Sequence, residues 1–285
     1  MMADDPLVAG IDVAASRPCV GVALRPAPGG GRIEAVAWHE SIPATEAHEQ
    51  TGGRGGRRRS AGPGAPPDLL DWLDGLSPSP SVVAIDAPQG YNRRLLARRR
   101  ADPRRSRVCD DELLRRRLGV YQVPSRADVA ADPRRLPSWM AVGFDLYAQL
   151  RRRGFEAPDQ GALPGAFGRP PALLEVYPYA TFVAVLGRRL SRKTTREGLR
   201  LRVAALRSEG VVWDRGGPER TWERDAYYDH DSLDALAAAL TAWRFVQGVA
   251  GRLGDPREGL IWLPVGEERF AESLSPSPTS RGADG

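Results

Sequence analysis

Apolar positions along the chain fall into short runs, and several of them stop at an acid. Leu7-Val8-Ala9-Gly10-Ile11 is unbroken and ends at Asp12, the pattern of a strand covered on both faces. Cys19–Leu24 and Arg32–Trp38 follow at once, separated by the turn-forming Pro26-Ala27-Pro28-Gly29-Gly30-Gly31. Three strands so closely spaced predict an antiparallel meander. Val82-Val83-Ala84-Ile85 is a second buried run stopped by an acid, Asp86, and Pro88 helps to end it. A third run, Ala172–Tyr177, carries Glu175 within it and is stopped by Pro178.

Helical spacing appears between these runs. A short helix is predicted over Asp68–Leu73, closed by Gly75. Others are predicted over Asp110–Leu118, 179–189 and 195–209. Pro137–Arg153 places Trp139, Val142, Leu146 and Leu150 on one face, and Asp231–Gly248 does the same with Leu233, Leu236, Leu240 and Trp243. Residues 44–67 read as a mobile Gly/Arg-rich loop, 89–172 as a helical insertion, 214–225 as a polar loop and 273–285 as a disordered tail. Leu260–Pro264 contains a proline, so as a strand it is expected at a sheet edge. The order predicts an α/β domain over 7–265: a mixed sheet with a three-strand meander and parallel strands, flanked by helices.

In a parallel sheet, functional groups collect at the carboxyl ends of strands. If the first and fourth strands are parallel neighbours, Asp12 and Asp86 meet there. Asp231 and Asp234 are three apart and project to roughly the same side of the last helix. Carboxylates converging without a basic partner repel, and one or two divalent cations resolve this. Oxygen donors with few histidines favour Mg2+ or Mn2+ over Zn2+. Asp12, Asp86, Asp231 and Asp234 are therefore the candidate metal ligands, with Glu175 as a fifth catalytic candidate.

Each has a plainer alternative. Asp12 and Asp86 suit strand-end turns. Asp231 suits an N-cap, with Asp234 completing a capping-box-like pair. Glu175 suits a salt bridge to an arginine. His230 is a candidate general base or a structural residue, and Tyr177 reads as packing.

Composition adds a second theme. The 285 residues carry a net charge of +5, and a single lysine, Lys193, stands among 41 basic residues. Arginine suits bidentate phosphate contacts, although a coding bias toward arginine explains the same ratio. Arginines crowd between Arg93 and Arg117, immediately after the Asp86 strand. Arg93, Arg94 and Arg107 are the candidate nucleic-acid contacts, and a solvated helical face is the alternative. Two cysteines without CxxC spacing argue against a disulfide framework and a zinc site. No run approaches the roughly 20 apolar residues of a membrane span. The acidic N-terminus is no secretory signal, which makes the cytoplasm the default. Phosphate-loop, GxSxG and HExxH motifs are absent.

Five motifs together resemble the domain of unknown function 429 family: Gly10-Ile11-Asp12-Val13-Ala14, Ala84-Ile85-Asp86-Ala87-Pro88, Arg107-Val108-Cys109-Asp110, Glu175-Val176-Tyr177-Pro178 and His230–Leu236. The resemblance runs from about Leu7 to Pro264. It implies an RNase H-like fold and, as a family-level expectation, nuclease activity. It also implies that Arg107 and Asp110 line the site. The final-helix acid pair is similar to that of RuvC-type resolvases. The expected function is a divalent-metal-dependent nuclease. One rival is a non-catalytic nucleic-acid- or partner-binding protein on the same fold. Another is a kinase-like phosphotransferase, which needs a duplicated domain and a second glycine-rich motif that the chain lacks.

Overall fold

The structure, a computed structural model, describes residues 5–41, 64–93, 106–158, 170–213, 219–222 and 225–273. In chain order come β1 (Val8–Asp12), β2 (Cys19–Pro26), β3 (Ile33–Ser41), α1 (Pro67–Asp74) and β4 (Val82–Asp86). Then follow α2 (Val108–Arg115), α3 (Arg126–Ala131), α4 (Ser138–Arg152), β5 (Ala172–Val176), α5 (Pro178–Leu186) and α6 (Arg196–Ser208). The last are β6 (Val211–Trp213), β7 (Glu219–Trp222), β8 (Asp225–Tyr228), α7 (His230–Val246), β9 (Gly251–Asp255), β10 (Gly259–Leu263) and α8 (Glu267–Ser273).

Eight strands make one mixed sheet in the order β6-β3-β2-β1-β4-β5-β10-β9. The antiparallel meander β1-β2-β3 forms as expected, and β4 adds parallel to β1 with Asp12 directly opposite Asp86. β5 and β10 continue the parallel half. This is the mixed α/β sheet flanked by helices that the hydrophobic pattern predicts.

Two expectations are corrected. β10 is an interior strand between β5 and β9, because it stops at Leu263 and leaves Pro264 outside the ladder. The segment expected as a polar loop at 214–225 contributes to the separate hairpin β7–β8. Most of the 44–67 loop, residues 94–105 and 159–169 of the insertion, and the tail beyond Ser273 lie outside the described residues.

Period-two alternation divides the sheet's two faces. Val8, Val82, Leu174 and Val176 pack toward α5, α6 and α7. Ala9, Ile11, Val83, Ile85 and Leu173 pack toward α1 and α4. Helix α7 lies across β1, β2 and β4. Gly10 is essential to this fit: a Cβ there would stand 2.2 Å from the Ala235 carbonyl oxygen and 2.3 Å from the Ala239 nitrogen. Alanines at 235, 237, 238, 239 and 242 let the helix settle this close. On the other face, the Tyr147 hydroxyl of α4 sits 3.2 Å from the Ala87 carbonyl and 3.1 Å from that of Leu174, tying the insertion to the end of β4 and to β5. No helix among the described residues is long and apolar enough to cross a membrane.

A carboxylate cluster at the strand ends

β1 and β4 deliver Asp12 and Asp86 side by side at their carboxyl ends. Both follow the even-numbered face of their strands, the face covered by α7. The helix starts at His230, capped by Asp229, whose carboxylate accepts from the Asp231 amide and the Ser232 hydroxyl. One turn in, Asp234 is directed at the strand ends. Oxygens of Asp12, Asp86 and Asp234 lie within 4.8 Å of one another.

Ionised carboxylates at that spacing repel by about 3–4 kcal/mol per pair at an effective dielectric of 20. The site shows this cost. Asp12 is 3% exposed, and its Oδ2 has no hydrogen-bond partner among the described residues. Its nearest cation is Arg17, at 4.0 Å. Burial first, and then the charges of Asp86 and Asp234, push the Asp12 carboxyl well above its ordinary range. Burial and Asp234 raise Asp86 to about 7.

Lys193, in the segment between α5 and α6, donates from Nζ to Asp234 Oδ2 at 2.7 Å. Burial alone would lower its pKa, but the carboxylates of Asp234, Asp12 and Asp86 hold it above the ordinary value. The ammonium is therefore charged at neutral pH.

Asp231 and Glu175 stand apart from this cluster. Asp231, at the second position of α7, pairs with Arg17 and meets His230 Nδ1 at 2.5 Å. Burial first, then Lys193 and Arg17, lower the His230 pKa, which leaves the ring neutral at pH 7. Glu175 pairs in register with Ile85 rather than Asp86, so it faces the opposite side of the sheet from Asp12. There it is gripped by Arg107: Nη2 donates to Oε1 at 2.7 Å and Nη1 to Oε2 at 2.9 Å. The Gln89 amide donates to Oε2 at 3.0 Å. The salt-bridge alternative thus describes Glu175, not a place among the metal ligands.

Arg107 in turn donates from Nε and Nη2 to Asp110 at 3.0 and 2.8 Å. At 2% exposure, with both carboxylates bound, it is an interior residue and not a nucleic-acid contact. Arg93 is exposed, and Arg94 lies outside the described residues.

A cleft of about 1060 Å³ opens over the cluster. Its walls include Arg17, Tyr121, Trp139, Tyr177, Lys193 and Arg202. Tyr121 is 69% exposed and meets Trp139 edge to face, with ring centroids 5.6 Å apart. Strand ends, α7 and the insertion thus enclose an acidic floor beneath basic and aromatic walls.

A family model described as a protein of unknown function, DUF429, matches residues 10–259. The chain belongs to the DUF429 family. No curated protein and no solved structure matches it. The matched stretch takes in every acid of this DUF429 site, from Asp12 to Asp234.

Sequence reasoning passed over Lys193 and Arg17, although one signal pointed to the first. A lone lysine in an arginine-saturated chain is a compositional outlier, and it stands at the DUF429 carboxylate cluster.

Proposed function

We propose that this DUF429 chain is a divalent-metal-dependent nuclease of the RNase H-like type, acting on nucleic-acid phosphodiester bonds. The observation that carries the reading is the convergence of Asp12, Asp86 and Asp234, with a buried Asp12 oxygen that has no hydrogen-bond partner among the described residues. The donor set fits Mg2+ or Mn2+: all-oxygen, anionic and free of thiolate. Asp12, Asp86 and Asp234 would hold the ion. Once bound, it would activate a water and stabilise charge on the phosphoryl oxygens.

The protein's own groups complete the reading. Arg17 on the cleft wall suits phosphate oxygens, and the exposed Tyr121 with Trp139 offers a stacking surface for a base. Asp231 with His230 orients Arg17 at the mouth. Cys19 and Cys109, both buried and unpaired, suit a reducing cytoplasm.

The test is cleavage of single-stranded, duplex, hybrid and branched substrates with Mg2+ or Mn2+. Cleavage by the parent and its loss in Asp12→Asn, Asp86→Asn and Asp234→Asn are expected. Intact substrates throughout, or an Asp12→Asn protein that cuts as fast as the parent, refute the reading. Salt-sensitive binding that survives Asp12→Asn without cleavage would instead favour the non-catalytic nucleic-acid-binding rival.

A further inference from the structure

The chain's only lysine sits at its carboxylate cluster. Elsewhere every basic position is arginine, so whatever favours arginine in this chain has not acted at position 193. The two residues differ in shape: guanidinium is a broad planar fork, ammonium a compact point charge with three donors. A place within hydrogen-bond reach of Asp234, beside Asp12 and Asp86, takes the compact one.

Charge balance points the same way. Ionised, as ligands of a metal ion must be, the three carboxylates would carry three negative charges. One divalent ion and one ammonium neutralise them, whereas two divalent ions beside the ammonium leave the site strongly positive. Arg17 does not alter this balance, because Asp231 takes up its charge. Asp12 Oδ2, buried and without a hydrogen-bond partner among the described residues, marks where the exogenous cation belongs, and Asp234 Oδ2 is already held by Nζ at 2.7 Å.

We infer that Lys193 is a built-in cation of the cluster: its ammonium, on one oxygen of Asp234, occupies one of two cation places, and Asp12, Asp86 and the other oxygen of Asp234 take a single divalent ion. This rests on the metal-dependent reading above and sharpens it from one or two divalent ions to one. The ammonium sits on the cleft wall, where it can meet a phosphoryl oxygen of the substrate as a fixed positive charge. Lys193 thus supplies the electrostatic part that a second ion plays in two-ion nucleases. The Lys193 side chain is 39% exposed, so its replacement leaves the core intact.

The test counts Mn2+ on the full chain by calorimetry and electron paramagnetic resonance, for the parent, Lys193→Met and Lys193→Arg. The parent is expected to bind one ion. Lys193→Met, which removes the charge at nearly constant length, is expected to bind Mn2+ about tenfold tighter or more, or to take a second ion. Lys193→Arg keeps the charge and is expected to stay within about threefold of the parent. Two ions in the parent, or unchanged Mn2+ affinity in Lys193→Met, overturn the inference. So does the absence of Mn2+ binding in all three proteins, which also removes the metal-dependent reading. One ion in the parent and tighter binding in Lys193→Met support the inference even if no substrate is cut. In that case the nuclease reading alone fails.

Discussion

Replacing Asp86 by asparagine should make the metal-free protein more stable, not less. Asparagine keeps the shape of the side chain and removes the ionisable group from a cluster where ionisation is costly. The Asp86 carboxyl is raised from 3.8 to about 7 by burial and by Asp234. One pKa unit corresponds to about 1.4 kcal/mol, so the ionised form carries up to about 4 kcal/mol of destabilisation. Below about pH 4 the folded and unfolded chains both hold the proton, and the substitution changes little. Between about pH 4 and 7 the unfolded carboxyl ionises while the folded one does not, so the parent loses stability as pH rises. Above the folded value the loss is complete.

Urea unfolding in a chelator should therefore show Asp86→Asn more stable by about 2–4 kcal/mol at pH 8, and by under about 1 kcal/mol at pH 4. Saturating Mn2+ should close most of this gap. An ion at a hundred times its dissociation constant stabilises the parent by about 2.7 kcal/mol, a gain the variant largely forgoes. An asparagine variant that is less stable at pH 8 without metal, or a difference that does not change with pH, would refute the account of a charge-strained cluster.

Further outcomes follow from the same geometry. Arg107→Met strands Glu175 and Asp110 in the interior and should cost about 3–5 kcal/mol in urea unfolding, while leaving the salt dependence of nucleic-acid binding unchanged. A flatter salt slope with unaltered stability would return Arg107 to the surface. Asp231→Asn should keep Mn2+ affinity within about fivefold of the parent, the worth of a partly exposed ion pair, whereas Asp234→Asn should lose binding in calorimetry. Equal losses in the two variants would place both acids in one site. Gly10→Ala forces α7 off β1 and should cost at least about 3 kcal/mol in thermal unfolding, with weaker Mn2+ binding in the folded fraction. A neutral substitution would mean that the helix does not rest on the β1 backbone.

Much of this arrangement is legible in the residues. The runs ending in Asp12 and Asp86 mark two buried strands, and their parallel pairing brings the acids together. The alternation within each run also carries information that the acid count conceals. Asp12 shares its face with Val8 and Gly10, but Glu175 shares its face with Leu173, on the α1 and α4 side. A one-residue change of phase puts Glu175 beneath the sheet, in reach of Arg107. Phase relative to the neighbouring strand depends on register, which a single sequence does not display.

The choice between Asp231 and Asp234 depends on where the helix begins. Asp229, not Asp231, caps α7, so Asp234 falls a turn inside and reaches the strand ends. The short strands β6 and β9 escaped notice because neither has a long apolar run; β9 reads Gly-Arg-Leu-Gly-Asp and is held by its pairing with β10. Pro264 misled for a related reason: a proline one residue past a strand looks the same in sequence as one within it.

The seat of α7 on β1 also bears on how the protein is made. Chains emerge from the ribosome N-terminus first. β1 and β4 are therefore free to pair, and to bring Asp12 beside Asp86, long before α7 exists. Until that helix is synthesised, one face of β1, β2 and β4 has no cover, and the acids lack Asp234. Docking of α7 closes the apolar face and completes the charged site in one movement, with Gly10 setting the depth. A chain that stops short of α7 is thus both sticky and unable to form the full cluster. Gripping an ion with all three carboxylates becomes a mark of completed synthesis.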